Sequence, residues 1–430
     1  MSMNKQFVRY VSQNILGMMG VSLYILADTF FISLAAGTNG IAALSLVLPL
    51  YSVIYAIGAM LGVGSAIRYS ISNAQKDEDA KRYFSNAILW ALVLSVPFML
   101  VGGLFPSTVM EVLGGDSTIV AVGTPYTRVF MVFTPFFILN SIVTAFVRND
   151  DDPSLAMAAT LFSSLFNIVF DYVLMFPLGM GMTGAALATG FSPVIGVAIC
   201  GIHFFKKSNQ LVFVWQLPSV KRLISSCQLG ISAFVGEMSS GVTTAVYNWL
   251  ILGIAGNAGV AAYGVVANTA IVATSMFNGI AQGSQPLISE SYGKGDTKST
   301  KQVLKLSLGT AVIIAVIILV GIIAFAEPVV AIFNSEQSVE LAGYAVTGIK
   351  LYFIGFLFAG VNIAGCGYLS AIGQARGAFV ASISRGVVAI VTSAIVMAYL
   401  FGMTGVWLSF AVAEVITCVV LGYMMLGCSK

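Results

Sequence analysis

Apolar runs of spanning length recur along the whole chain, and they constrain its fold more than any other feature. A stretch of about 20 apolar residues crosses the hydrocarbon of a bilayer as a helix. Twelve such runs can be marked, at about 11–35, 43–67, 84–105, 123–147, 154–177, 184–205, 228–254, 260–285, 303–326, 345–370, 377–400 and 404–427. They are long and continuous, whereas strands of a membrane barrel alternate in polarity over about ten residues. The balance of residue types agrees: 58% are hydrophobic and only 9% charged, against roughly 25% charged in soluble domains. The expected fold is therefore an all-α polytopic membrane protein with twelve transmembrane helices.

The loops orient the chain. Lys5 and Arg9 precede a run of spanning length with another span close behind, so the first run is expected to stay in the membrane rather than act as a cleaved signal. With the N-terminus inside, the inner loops and tails hold basic residues from Lys5 and Arg9 through Lys76, Arg148, Lys206, Lys207 and Lys298 to Lys430. The outer loops hold Glu111, Asp116 and Glu336 and neither Lys nor Arg. Positive residues collect on the cytoplasmic side, so both termini are expected there. The net charge of +3 reflects this asymmetry and gives no reason to expect a nucleic-acid partner. The cysteines (200, 227, 366, 418 and 428) have neither metal-type nor disulfide-type spacing, and His203, at a helix end, is expected to be structural.

The chain is written twice. GMTGAALA (181–188) opens the sixth span and GMTGVWLS (402–409) the twelfth, an offset of 221. AAGTNGIAAL (35–44) returns as IAGNAGVAAY (254–263) and GVGSA (62–66) as AQGSQ (281–285), both offset by 219, and Asn140 and Asn362 are 222 apart. Six spans per copy is an even number, so both copies enter from the same side as parallel repeats, an arrangement found in transporters. The expected lobes are residues 1–210 and 211–430, two pseudo-symmetric six-helix bundles. They are joined by KKSNQLVFVWQLPSVKR (206–222), where a short surface helix is expected around Val212–Trp215. Two bundles of this kind suit alternating access better than a channel.

Acidic residues inside the spans carry the functional question. Asp28 stands in SLYILADTFFISLAA (22–36), and NIVFD (167–171) sets Asn167 and Asp171 on one face of a helix. Counted from the outer ends of their spans, Asp28, Asp171 and Thr189 lie roughly 8–12 Å deep, at about 1.5 Å per residue. Asn167 is one turn deeper. An ionised carboxylate at membrane depth costs at least about 2.5–3.5 kcal/mol. Two of them close together, beside Asn167 and Thr189, are expected to hold a proton between them or to coordinate a desolvated sodium ion. The plainer alternative is a polar network that only joins helices. Glu237 is the mid-span acid of the second half. Asn140, Asn362 and Gln282 are expected with it along a substrate cleft, Glu414 either there or in packing, and Arg385 reaching inwards to the headgroups.

Other chemistries find no support. GMGMTG (179–184) fits a dinucleotide fingerprint by letter but sits in a turn between membrane helices, with no strand before it. There is no phosphate-binding G-x-x-x-x-G-K-[ST] loop, no nucleophile–base set and no metal-ligand set. No enzyme activity and no cofactor are expected.

Several stretches resemble multidrug and toxic-compound extrusion (MATE) transporters, most closely the bacterial multidrug-exporter branch. They are ADTFFI with GIAALSLVLPL, GVGSA, NIVFDYVLMFPLGMGMTGAALAT and the repeated second half, and the similarity spans roughly residues 10–425. The resemblance implies two six-helix lobes forming a V around a central cleft. It also implies export of amphipathic, often cationic, small molecules against an inward flow of protons or sodium ions. It places Asp28, Asn167, Asp171 and Thr189 at the family's cation cluster and Glu237 at its acid in span seven. It further implies a monomer in the bacterial cytoplasmic membrane. The chain departs from the family where Asn362 stands in place of an aspartate found in some members, and where residues 8–35 lack a proline. A lipid-linked oligosaccharide flippase of the same superfamily is the alternative; such proteins line their cavity with more basic residues, while the in-span charges here are mainly acidic.

Overall fold

A computed structural model describes residues 2–333 and 338–427, the side chain of Thr38 apart. Glu336, Cys428 and Lys430 lie outside the described residues. Within them all regular structure is helical. Helix satisfies every backbone N–H and C=O within its own segment, which lipid demands.

Among the described residues, nine helices are long and apolar enough to cross a membrane singly, and a bent pair, Ser117–Val132 with Thr134–Asn149, makes a tenth. Two of these are double: Val220–Gly293 is interrupted at Gly256 and Ala375–Gly427 at Gly402. The described residues thus hold the twelve expected spans. The fourth is not one straight helix but turns by 46° between its two pieces. Pro135, in the first turn of the second piece, has no N–H to continue the ladder. A short helix, Pro106–Val112, joins spans three and four, where only a loop was expected. Span one, which lacks proline, runs from Met3 to Gly37.

The sequence repeat reappears in the backbone. Gly37 (φ 57°, ψ −147°) and Gly256 (φ 61°, ψ −156°) divide spans one from two and seven from eight. Gly181 and Gly402 hold positive φ at the starts of spans six and twelve. Residues with a Cβ pay about 1–3 kcal/mol in such regions. A methyl group on Gly37 or Gly256 would meet nothing within 4 Å, so the whole cost of substitution is conformational. Gly37→Ala and Gly256→Ala should each lower stability by about 1–3 kcal/mol, read as thermal unfolding in detergent. Unchanged melting of both variants would contradict this account of the breaks.

Apolar side chains face outwards as well as inwards, as expected where the solvent is lipid. In Thr297–Phe333 the exposed residues include Ile313, Ile317, Val320 and Ile323, while Ser307, Ala311 and Ala315 are buried. Small residues let helices approach. A methyl group on Gly64 would lie 2.0 Å from the Ser226 carbonyl oxygen, and one on Gly230 would lie 1.9 Å from that of Met60. Spans two and seven therefore meet backbone to backbone, the close approach that small residues permit in membrane bundles. Gly283, the repeat partner of Gly64, packs in the same way on Tyr10 and Val11.

The chain forms two compact units. The amino-terminal unit comprises Leu16–Glu237 and Ser289–Asp296; the carboxy-terminal unit comprises the chain up to Ile15, Met238–Ile288 and the chain from Thr297 onward. The connection between the halves corrects one expectation: residues 209–219 are not helical. Val214 N donates to Ser85 Oγ and Ser219 N to Asn86 Oδ1, both at 2.7 Å. Span three thus takes one backbone donor, Val214 N, within Val212–Trp215 and another, Ser219 N, beyond it.

Candidate functional site

Four residues from three spans of the amino-terminal unit converge. Asp28 is 9% exposed, Thr189 4%, and Asn167 and Asp171 are fully buried. The i, i+4 spacing in Pro153–Met175 points Asn167 and Asp171 the same way. The positive φ of Gly181 starts the next helix, which carries Thr189 to them. Asn167 Nδ2 donates to Thr189 Oγ1 at 3.3 Å. The carboxyl groups of Asp28 and Asp171 lie within reach of each other. Yet among the described residues no donor satisfies Asp28 Oδ1, Asn167 Oδ1 or either oxygen of Asp171, all buried.

Unsatisfied buried oxygens are costly, about 1–3 kcal/mol each and more when charged. Four of them in one cluster form an acceptor set that a positively charged partner would satisfy. A proton shared by the two carboxyls would supply a donor, and a sodium ion fits the same all-oxygen set. Asp28, Asn167, Asp171 and Thr189 are the residues that would hold either.

Tyr126, from span four and 1% exposed, is a member that sequence reasoning missed. It reaches Thr189 and feels both carboxyl groups. Tyr24, one helical turn before Asp28, stands near both Asp28 and Glu237. Its hydroxyl lies 3.3 Å from that of Tyr51, which donates to Tyr55 at 3.0 Å. Tyr51 stacks on Tyr55 and Phe130 with centroids 4.5 and 4.8 Å apart. The i, i+4 spacings Tyr24–Asp28 and Tyr51–Tyr55 were the available signal for this aromatic wall; nothing in the sequence marks Tyr126.

The residues expected along a cleft are divided between the units. Glu237 is exposed and Asn140 half-buried in the amino-terminal unit, where Asn140 sits against Gly196. Gln282 is half-buried in the carboxy-terminal unit, and Asn362, fully buried there, donates to the carboxylate of Glu414 at 2.7 Å. Arg385 does not reach for headgroups. Its Nε donates to Glu414 Oε1 at 2.8 Å.

A second polar network ties the ends of spans two, four, five and six. Asp150 accepts from Tyr69 (2.7 Å) and from Gln210 N (2.8 Å), and faces His203 Nε2 at 2.7 Å. Asp152 faces His203 Nδ1 at 3.2 Å and accepts from Lys206 at 2.6 Å. Burial alone would push the Asp152 carboxyl up, but the hydrogen bonds from Lys206 and His203 outweigh it and hold the group below the usual carboxylate range.

Twelve apolar spans folded as two repeats, with carboxylates buried among them, define a polytopic helical membrane protein. The MatE family model matches residues 14–173 and 233–395, and the chain belongs to that family. Among its relatives, the multidrug export protein MepA of Staphylococcus aureus (strain MRSA252) is 30% identical over 402 residues, covering 91% of this chain and 86% of that protein. MepA of Staphylococcus saprophyticus is 28% identical over 397 residues, covering 92% and 87%. The fold matches the outward-facing structure of a multidrug resistance MATE family transporter of the MOP superfamily, with TM-score 0.93 and 21% identity over 100% of this chain and 96% of that one. A MOP superfamily transporter from Pyrococcus furiosus, described as having a binding pocket of reverse polarity, gives TM-score 0.92 at 22% identity, with the same coverage.

Proposed function

We propose that this chain is a secondary antiporter that exports amphipathic, cationic small molecules in exchange for protons or sodium ions. The observation that carries the proposal is the cluster of unpartnered buried oxygens at Asp28, Asn167 and Asp171. In the proposed cycle a cation enters from outside and occupies this cluster. Its binding favours the state that releases substrate outwards. The repeats 1–210 and 211–430 act as the two moving lobes of a monomer in the bacterial cytoplasmic membrane, with both termini inside. The names of the MepA relatives support a drug substrate, and the acidic character of the in-span charges supports a cationic one.

Glu237, beside Tyr24 and exposed, is assigned to the substrate. Asn140, Gln282 and Asn362 are assigned with it as polar positions along the substrate's path. Glu237→Gln should change the preference among ethidium-like cations several-fold while leaving cation dependence intact. A dye-efflux screen that includes anionic dyes tests both points. Exclusive export of the anions, or loss of cation dependence in Glu237→Gln, contradicts the assignment.

A further inference from the structure

The carboxy-terminal unit buries an ion pair whose hydrogen bonds are incomplete. Glu414, 2% exposed in span twelve, receives Arg385 Nε on Oε1 at 2.8 Å and Asn362 Nδ2 on Oε2 at 2.7 Å. Asn362 Nδ2 also reaches the Glu414 carbonyl at 2.8 Å. The other end of the same amide, Asn362 Oδ1, is buried and has no donor among the described residues. An ionised glutamate cannot supply one, because it only accepts. A protonated Glu414 would carry an O–H, the kind of donor that this oxygen lacks.

Arg385, but not Glu414, lies in an irregular turn of its span. Ser384–Val388 is a π-helical turn within span eleven. Such turns are frequent at functional sites. Reversion of one turn to α-helix swings a side chain by about 100°, one residue's rotation. Arg385 is 20% exposed, against 2% for Glu414, so it lies nearer the surface of the bundle than the acid does. The repeat sharpens the contrast. In the first half the position 222 before Arg385 is Ser163, whose carbonyl accepts from Ser192 Oγ at 2.8 Å. There the two helices are joined by a bond that cannot titrate.

We propose that Glu414, Asn362 and Arg385 form a second proton-binding site, in which Glu414 takes up one proton as Arg385 withdraws. The proton comes from water and ends on a Glu414 oxygen. It then donates to Asn362 Oδ1, Arg385 keeps its own charge, and the site passes from neutral to one positive charge. The ion pair with an orphaned amide oxygen and the protonated acid with a released arginine each leave one group imperfectly served, as a switch between two states requires. The other titratable groups facing Glu414 are Tyr352 and Cys366 of span ten, Tyr247 of span seven, and Cys418 one turn on along its own helix. Arg385, its ion-pair partner, is the basic group facing it.

The test is infrared difference spectroscopy on the purified full chain across a pH series, in an Asp28→Asn/Asp171→Asn background that removes the first cluster. The carbonyl band of a buried protonated carboxylic acid should grow as pH falls, and should vanish when Glu414→Gln is added. Arg385→Gln, which keeps the acid and removes its counter-charge, should move the midpoint of that band upward by more than about one pH unit. No band in the background, a band indifferent to Glu414→Gln, or a midpoint unmoved by Arg385→Gln each overturns the proposal. The antiport proposal survives any of these results, because its own cluster is absent from the background.

Discussion

Asp28→Asn and Asp171→Asn should each fold and insert like the parent chain, and each should lose gradient-driven export. The amide keeps the shape of the side chain but removes the charge that a proton or sodium ion needs. With one carboxylate gone, the remaining one neither shares a proton nor completes an anionic oxygen set around Asn167 and Thr189. A coupling free energy is typically about 1–3 kcal/mol, a factor of about 5–150 in affinity, and a loss of that size is expected in the gradient's effect on efflux. Tyr126→Phe, which keeps the ring and removes the hydroxyl near Thr189, should weaken coupling less than either aspartate variant. Efflux from proteoliposomes checks these expectations, and full coupling in both aspartate variants would refute the role of the cluster.

Asp150→Ala should destabilise the amino-terminal unit by about 3–5 kcal/mol, the usual cost of removing one partner from a buried charged set. The side chains of Asp150 and His203 are 1% and 0% exposed. The substitution strands Tyr69, Gln210 N and one nitrogen of His203 together, in a place water reaches poorly. These groups come from span two, the end of span six and the chain beyond it, so their loss loosens several helix ends at once. Thermal unfolding in detergent checks the effect. A melting temperature equal to that of the parent would show that the network is solvated and contributes little.

Much of this architecture is legible in the sequence because lipid imposes a length rule on apolar runs, and a duplicated chain displays its period. The breaks at Gly37 and Gly256 fall inside the quoted repeat, so the positions of spans one, two, seven and eight could be read. The bend before Pro135 could not, since a proline in a spanning run does not say whether the helix kinks or starts anew. Asn167 and Asp171 were legible as a pair through i, i+4 geometry, and Asp28 through its cost in lipid. Tyr126 and the Arg385–Glu414–Asn362 contact were not, because they join residues from different spans by tertiary packing. The same limit explains the linker: Val212–Trp215 carries an apolar pattern that a helix would use, but Ser85 of span three takes the Val214 N–H, and Asn86 holds Ser219 further on.

The most direct measurement is dye efflux from proteoliposomes under an imposed proton gradient and, separately, an imposed sodium gradient. The parent chain, Asp28→Asn and Glu237→Gln are to be compared side by side. The account predicts that one of the gradients accelerates export by the parent and by Glu237→Gln, and that neither accelerates export by Asp28→Asn. Acceleration that survives Asp28→Asn and disappears in Glu237→Gln would contradict it.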